Sequence, residues 1–273
     1  MANPARALTV GAGQMARTLV SSRSLLVAIT RVELQKRYAG SVLGMGWMVL
    51  QPALLLSVYL FIYMVVFNVK FPGLSNYGYV LYVFTGLVPY LGFMEALTTG
   101  GMSLKQNMHL VKNVMLPIEL VPVRAVLVGM ASQCISMVIV IAMVIAGGHP
   151  TWHVVWLPLV LVMQVLALSG LTWILASLTV ALPDVTYFVN LLIFLLMWLS
   201  PIGFTPDMVP EKFRIVIYLN PVSYMISAYR DAMLNTGPPN MKMLLAYTVG
   251  SLTSFAVGAA FFRAFKGVLV DYE

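Results

Sequence analysis

The sequence predicts an all-α polytopic membrane protein with six transmembrane helices, an N-terminal interfacial helix, and re-entrant external helices between spans five and six. Of its 273 residues, 60% are hydrophobic and 9% are charged, whereas about a quarter of the residues in a soluble domain are charged. The apolar residues form long runs, and about 20 of them in a helix cross the roughly 30 Å hydrocarbon core of a bilayer. The chain therefore has room for one membrane domain and no sizeable soluble domain.

Two segments precede the first predicted span. Residues 1–20 are rich in Ala, Gly and Arg without a clear period, and we expect them to be partly disordered within a cytoplasmic N-terminal segment, residues 1–24. The next segment, residues 25–37, places its apolar side chains on one helical face: Leu25, Ala28, Ile29 and Val32. This pattern favours an amphipathic helix in the membrane interface, and a soluble linker helix is the alternative.

The remaining apolar runs predict six spans, which complete a single membrane domain over residues 25–265, followed by a cytoplasmic tail at 266–273. The spans are predicted at residues 47–67, 79–99, 118–146, 154–181, 185–204 and 243–262. The external segment 205–242 is unlike a simple loop, because five prolines flank a 13-residue amphipathic stretch that is too short to span. Helices that dip part-way into the membrane, buried in protein or lining a cavity, would account for it.

The basic residues are distributed asymmetrically along the chain. Six precede the first span, two lie in the loop 100–116 and two follow the last span, while the short loops of the other side carry Lys70 alone. The positive-inside rule places both termini and the loop 100–116 in the cytoplasm. The net charge of +7 is thus explained by topology, and we expect no nucleic-acid partner.

Candidate catalytic residues are scarce. His149 and His153 have a helical metal-ligand spacing, but Pro150 separates them and no acidic or thiol partner is near. The sequence also has no phosphate-binding Gly-x-x-x-x-Gly-Lys-[Ser/Thr] loop. We therefore expect no catalytic residue, no metal and no cofactor in this chain.

Ionisable residues within or between the predicted spans lie towards the cytoplasmic side rather than at the midplane. They are Glu95, Glu119, Arg124 and Asp184. A proton- or sodium-coupled transporter usually carries such groups near the centre, so this pattern disfavours ion coupling. Arg124 is expected to pair with Glu95 or Glu119 and to act as structural glue.

Five segments occur in the order and spacing of a known family. They are RYAGSVLGMGWMVLQP (37–52), GLVPY (86–90), HLVKNVMLPIELVPVRAV (109–126), SPIGF (200–204) and LNPVSYMISAYRDAML (219–234). Together they resemble the polysaccharide-export permeases of the type-2 ATP-binding-cassette (ABC) class, over about residues 25–265. The chain departs from that pattern at Tyr90, where Trp is usual, and at Asn113 and Ile118, where Lys and Arg are common.

The resemblance implies a homodimer of this chain that works with two copies of a separate ATPase subunit. ATP and Mg would bind that partner, so this chain would not be an enzyme by itself. The implied cargo is lipid-linked polysaccharide, O-antigen for lipopolysaccharide biosynthesis or a teichoic-acid precursor, moved across the cytoplasmic (inner) membrane of a bacterium. A type-2 exporter of drugs or small lipids is the alternative, and an intramembrane lipid-modifying enzyme is a remote one.

The family's coupling helix corresponds to the loop 100–116, where an ATPase subunit would dock. Leu110, Val111 and Val114 would supply the apolar contact, with Lys112 at the rim. An ordinary solvated loop is the alternative interpretation.

Aromatic residues on the first two spans are candidates for the substrate path. Tyr59, Tyr63 and Phe67 fall at i, i+4 and i+8 on one face of span one, and Tyr82 and Tyr90 lie on span two. Sugar rings have apolar CH faces that can slide on aromatic planes, so such a stripe suits a polymer conduit. Ordinary helix packing and interfacial anchoring predict the same residues.

Overall fold

The computed structural model describes residues 4–66, 74–108, 116–148 and 151–271, which form helices and short connections without a β-strand. The helices, numbered here in chain order, are α1 Pro4–Ser21, α2 Arg23–Tyr38, α3 Trp47–Phe61, α4 Asn76–Gln106, α5 Leu120–Ala146, α6 Leu157–Ala181, α7 Val185–Leu199, α8 Arg214–Leu219, α9 Pro221–Leu234 and α10 Met241–Asp271. A π-helical segment, Ile62–Val66, continues α3. The all-α polytopic fold class is confirmed.

Five of the six predicted spans are helices long and apolar enough to cross a membrane. The first of them is Gly44–Phe61, in which the 3-10 turn Gly44–Gly46 leads into the 15 residues of α3. The fifth predicted span is shorter than expected, since α7 has 15 residues and a span needs about 17 or more. It ends because Ser200, which precedes Pro201, adopts an extended conformation, as residues before proline favour. The prediction that this span reaches residue 204 is wrong, and a count of six spans is not confirmed.

The N-terminal segment differs from the expectation of disorder. Residues 4–21 form the helix α1, which packs against α10. Met15 is buried there, and a Cβ on Gly11 would lie 3.3 Å from Nη1 of Arg263. The helix thus depends on a neighbour more than 240 residues away, which no local period reveals. The helix predicted at residues 25–37 is confirmed as α2. The helix α10 continues through residue 271, into the segment 266–273 that was predicted as a tail.

The core is built around α4, which lies against α5, α6 and α9. Its side chains Phe84, Leu87 and Tyr90 are almost fully buried. A second close contact joins α6 and α10, where a Cβ on Gly170 would come within 2.1 Å of the Ser254 carbonyl oxygen. Such glycines let two backbones touch, which is the usual way that helices pack tightly in a membrane.

The segment between α7 and α10 contains two helices, as predicted. The longer one, α9, begins at Pro221, whose fixed φ suits a first helical position, and Asn220 caps it by accepting a 3.0 Å hydrogen bond from the Val222 amide. Ile226 and Tyr229 have no exposed surface. This helix is therefore buried in protein, which is the condition under which a re-entrant helix is tolerated.

Candidate transport and coupling surfaces

The aromatic residues predicted for the substrate path lie in different environments. Tyr90 is fully buried and donates a hydrogen bond to the Ile193 carbonyl of α7. Tyr59 lies half-buried on α3 against the core. The side chain of Tyr63 and the whole of Phe67 lie outside the described residues. The role of these residues in a path stays a prediction, although Tyr90 clearly contributes to packing.

Tyr82 belongs to a polar cluster near the beginning of α4 that adjoins the α7–α8 connection. Its hydroxyl donates to the Phe204 carbonyl at 3.1 Å, and its ring lies 3.5 Å from the Arg230 guanidinium carbon. Arg230 also donates through Nη2 to the carbonyls of Pro201 and Ile202, at 3.0 and 3.2 Å. The cluster fixes residues 200–204 between α4 and α9, a role that the sequence analysis did not anticipate.

The predicted coupling residues Leu110, Val111, Lys112 and Val114 lie outside the described residues. Both flanks of this segment are firmly packed. Leu104 near the end of α4 has no exposed surface, and Trp173 of α6 donates a 3.0 Å hydrogen bond to the Glu119 carbonyl just before α5. Any force on the segment would therefore act on two well-anchored helix ends.

Three ion pairs connect helices near these flanks. Arg37 pairs with Glu95, Arg124 pairs with Glu33 at 3.4 Å and Lys266 pairs with Glu119 at 2.6 Å. The expectation that Arg124 would pair with Glu95 or Glu119 is wrong. The helix α2 docks against α4 and α5, so its Glu33 pairs with Arg124 and its Arg37 pairs with Glu95. Together the pairs tie α2 to α4 and α5, and α10 to the beginning of α5.

A buried polar network joins four helices. The amide nitrogen of Gln133 donates to the Gln164 side-chain oxygen at 2.8 Å and to the Tyr229 hydroxyl at 3.0 Å. Gln164 donates back at 2.9 Å and also reaches the Pro89 carbonyl at 3.3 Å. The sequence carries one signal for this network, since Gln133 and Gln164 stand in the mainly apolar spans α5 and α6.

Several helices keep apolar side chains uncovered within the described part of the chain, and α3 and α7 are two of them. On α3, Leu54, Val58 and Phe61 are more than half exposed. On α7, the same is true of Tyr187, Phe188, Leu191, Phe194 and Trp198. Apolar surface of this extent marks a contact with lipid or with another subunit.

The fold and these surfaces define a multi-span helical membrane protein whose helices expose apolar faces at its periphery. The model of the family "ABC-2 type transporter" matches residues 24–234. The chain belongs to that family of transporter membrane components.

Three curated proteins are similar to this chain, and each is described as the O-antigen export system permease protein RfbA. Two come from Klebsiella pneumoniae, 33% and 31% identical over 245 residues, which is 89% of this chain and 92% of each relative. The third, from Myxococcus xanthus, is 26% identical over 254 residues, 92% of this chain and 96% of the relative. The similarity therefore covers nearly the whole length of both chains.

Proposed function

We propose that this chain is the membrane subunit of an ATP-driven exporter of O-antigen-like polysaccharide. The observation that carries the proposal is the similarity to three O-antigen export permeases over about nine tenths of each chain. The family match to residues 24–234 contains the helices α3 to α9 and all of α2 but its first residue. The cargo would be a lipid-linked glycan, moved outward across the inner membrane of a bacterium.

Energy would come from two copies of an ABC ATPase that binds ATP and Mg. The segment with Leu110, Val111, Lys112 and Val114 would dock in the ATPase. Support for this comes from its position between the packed end of α4 and the Trp173–Glu119 hydrogen bond. Because α4 and α5 also pair with α2 through ions, a displacement at the segment would move three helices together.

The working unit would be a homodimer. The support is the uncovered apolar face of α3 and of α7, which one copy could bury against another. Tyr59 and Tyr63 would then face a central path from both subunits, where sugar CH groups meet aromatic planes. Stacking on an aromatic ring contributes about 1–3 kcal/mol per nucleobase, and a sugar would gain less, so the polymer could slide without being trapped.

Both termini would lie in the cytoplasm. This topology is supported by the basic residues of the sequence and by the contact of α1 with the last turns of α10. Gly11 and Arg263 are neighbours there, so the beginning and the end of the described chain lie at the same end of the molecule.

The test is reconstitution of the full-length chain with its ATPase in vesicles that contain a defined lipid-linked O-antigen glycan. We expect glycan to cross the membrane only with hydrolysable ATP, and not with an ATPase variant that cannot hydrolyse it. Leu110→Asp should uncouple hydrolysis from export, while Thr236→Asp, an exposed position at the other end of the molecule, should not. Transport of a small lipid or drug in place of the glycan would contradict the proposal.

A further inference from the structure

The helices α1 and α2 lie at the end of the bundle where one apolar span begins and another ends. Gly11 of α1 lies against Arg263, the residue at which the uncharged part of α10, residues 243–262, ends. Glu33 of α2 pairs with Arg124, in the second turn of α5. Because spans leave the hydrocarbon of a bilayer where their apolar part ends, α1 and α2 lie next to the headgroups.

The charges of these two helices are only partly used within the fold. Glu33, the one acidic residue of either helix, pairs with Arg124. Arg37 pairs with Glu95 of α4. Four further basic side chains are exposed and have no ion-pair partner in the described part of the chain: Arg17, Arg23, Arg31 and Lys36. These four residues, here called the basic surface, are therefore positive without a compensating acid.

Exposed apolar side chains lie between these cations. Val20, Val27 and Val32 are 65%, 64% and 47% exposed, and Leu25 is exposed as well. Within the chain, α2 packs through other residues, among them Leu26. Basic residues mixed with uncovered apolar ones are typical of a helix that lies in the interface of an anionic membrane.

The composition of the surface also indicates which chemical group it would bind. Three of its four cations are arginines, whose planar guanidinium matches the oxygens of a phosphate with two parallel hydrogen bonds. An acidic protein would match the charge, but the position beside the ends of α5 and α10 is where lipid phosphates are already concentrated. Each Lys or Arg near an anionic bilayer raises the affinity about fivefold.

We propose that the basic surface binds the headgroups of anionic phospholipids, while Leu25 and the exposed valines enter the adjoining acyl region. The lipids next to α1 and α2 are then richer in anionic headgroups than the rest of the bilayer. This inference requires only that the helices lie in a membrane. It does not depend on the export of polysaccharide.

The test measures which lipid lies beside Ser24, an exposed residue between two parts of the basic surface. The full-length chain with Cys134→Ser and Ser24→Cys carries a bimane label at position 24. It is reconstituted in vesicles of phosphatidylcholine and phosphatidylglycerol, in which one or the other lipid has acyl chains brominated near the ester. We expect brominated phosphatidylglycerol to quench the label several-fold more effectively than brominated phosphatidylcholine.

Matched variants separate charge from other effects. Arg17→Gln/Arg23→Gln/Arg31→Gln should bring the ratio of the two quenching efficiencies close to one, whereas Arg17→Lys/Arg23→Lys/Arg31→Lys should keep most of the preference. Lys212→Gln/Lys242→Gln removes two exposed cations elsewhere, one of them at the opposite end of α10, and should leave the ratio unchanged. A preference that persists in the folded glutamine variant would refute the proposal.

Salt provides a test that needs no variant of the basic surface. Raising the salt concentration from about 0.1 to 1 M shortens the screening length from about 10 to 3 Å, so the ratio should fall towards one. Equal quenching by both lipids at low salt, no quenching by either, or a preference that ignores salt would each overturn the proposal. Loss of quenching when the ATPase subunit is added would assign the surface to a protein partner and would overturn it as well.

Discussion

The helices α3 and α4 are equally apolar but have opposite positions in the molecule. The most apolar 18-residue stretch of α4 has a mean hydropathy of 1.5, as does the stretch Gly44–Phe61, which leads into α3 and ends with it, yet 78% of the first stretch is buried and 11% of the second. The difference lies in small residues. A Cβ on Gly92 or Gly100 of α4 would collide with Gln133 or Thr172, so neighbouring helices have moved into the space that these glycines leave, whereas α3 contains no glycine.

The same contrast separates α7 from the packed helices. This helix also lacks glycine and carries Phe, Leu and Trp on its outward face. Hydrophobicity therefore decides that a helix enters the membrane, and small residues decide whether it joins the core of its own chain. The helices α3 and α7, which lack glycine, leave bulky apolar side chains free for contacts outside the described part of the chain.

The largest effect should come from a matched pair of phenylalanines. Phe84→Ala in α4, where the side chain is 2% exposed, should destabilise the isolated subunit by about 3–5 kcal/mol because it leaves a cavity. Phe194→Ala in α7, where the side chain is 56% exposed, should cost less than about 0.5 kcal/mol.

Unfolding of the detergent-solubilised monomer would measure both values. In the assembled exporter, self-association should respond in the opposite order. Phe194→Ala should weaken it directly, whereas Phe84→Ala should act only by lowering the stability of each subunit. Equal losses of stability in the monomer would show that the contrast between the two helices is not real.

A smaller effect is expected from the buried polar network. Gln164→Leu removes hydrogen bonds to Gln133, Tyr229 and Pro89, and should cost about 1–2 kcal/mol, towards the upper end for side-chain hydrogen bonds between membrane helices. Val162→Leu, an exposed change on the same helix, serves as the control. If the Gln164→Leu subunit is as stable as the control, the polar network does not stabilise the packing of α4, and its glycines account for that packing alone.

The smallest effect is expected at the ion pair between Lys266 and Glu119. The lysine side chain is 45% exposed, so solvent screens the attraction, and the pair should contribute about 0.2–1 kcal/mol. A double-mutant cycle with Lys266→Met and Glu119→Gln would measure the coupling, which should decrease at high salt. A coupling that is unaffected by salt would indicate that the pair is held by burial rather than by surface electrostatics.

Local signals in the sequence predicted where the helices lie better than which helices contact one another. The apolar runs located α3 to α6 and α10, and the amphipathic period located α2. The period of α2 could not reveal that Glu33 would reach Arg124, because that contact depends on how α2 docks. Tyr82 was proposed from its aromatic character alone, and its contact with Arg230 joins residues 148 positions apart.

The sequence predicts each candidate residue as a position on a single helix. It does not predict which residues of other helices that position contacts. The family resemblance suggested a function, while the network of Gln133 and Gln164 went unnoticed because each glutamine is isolated in its own span. Contacts between distant segments depend on which faces meet, and one sequence does not determine that. The helix α1 was missed for the same reason, since its order depends on α10.

The contact of α1 with α10 has a consequence for biosynthesis. The helix α1 finds its partner only when α10 has been made, since Gly11 packs at Arg263 and Lys266 reaches Glu119. Until then, α1 and the beginning of α5 lack these contacts in the nascent chain. Synthesis of α10 and closure of the fold therefore coincide, and a product truncated before α10 would expose its unfinished state to membrane proteases.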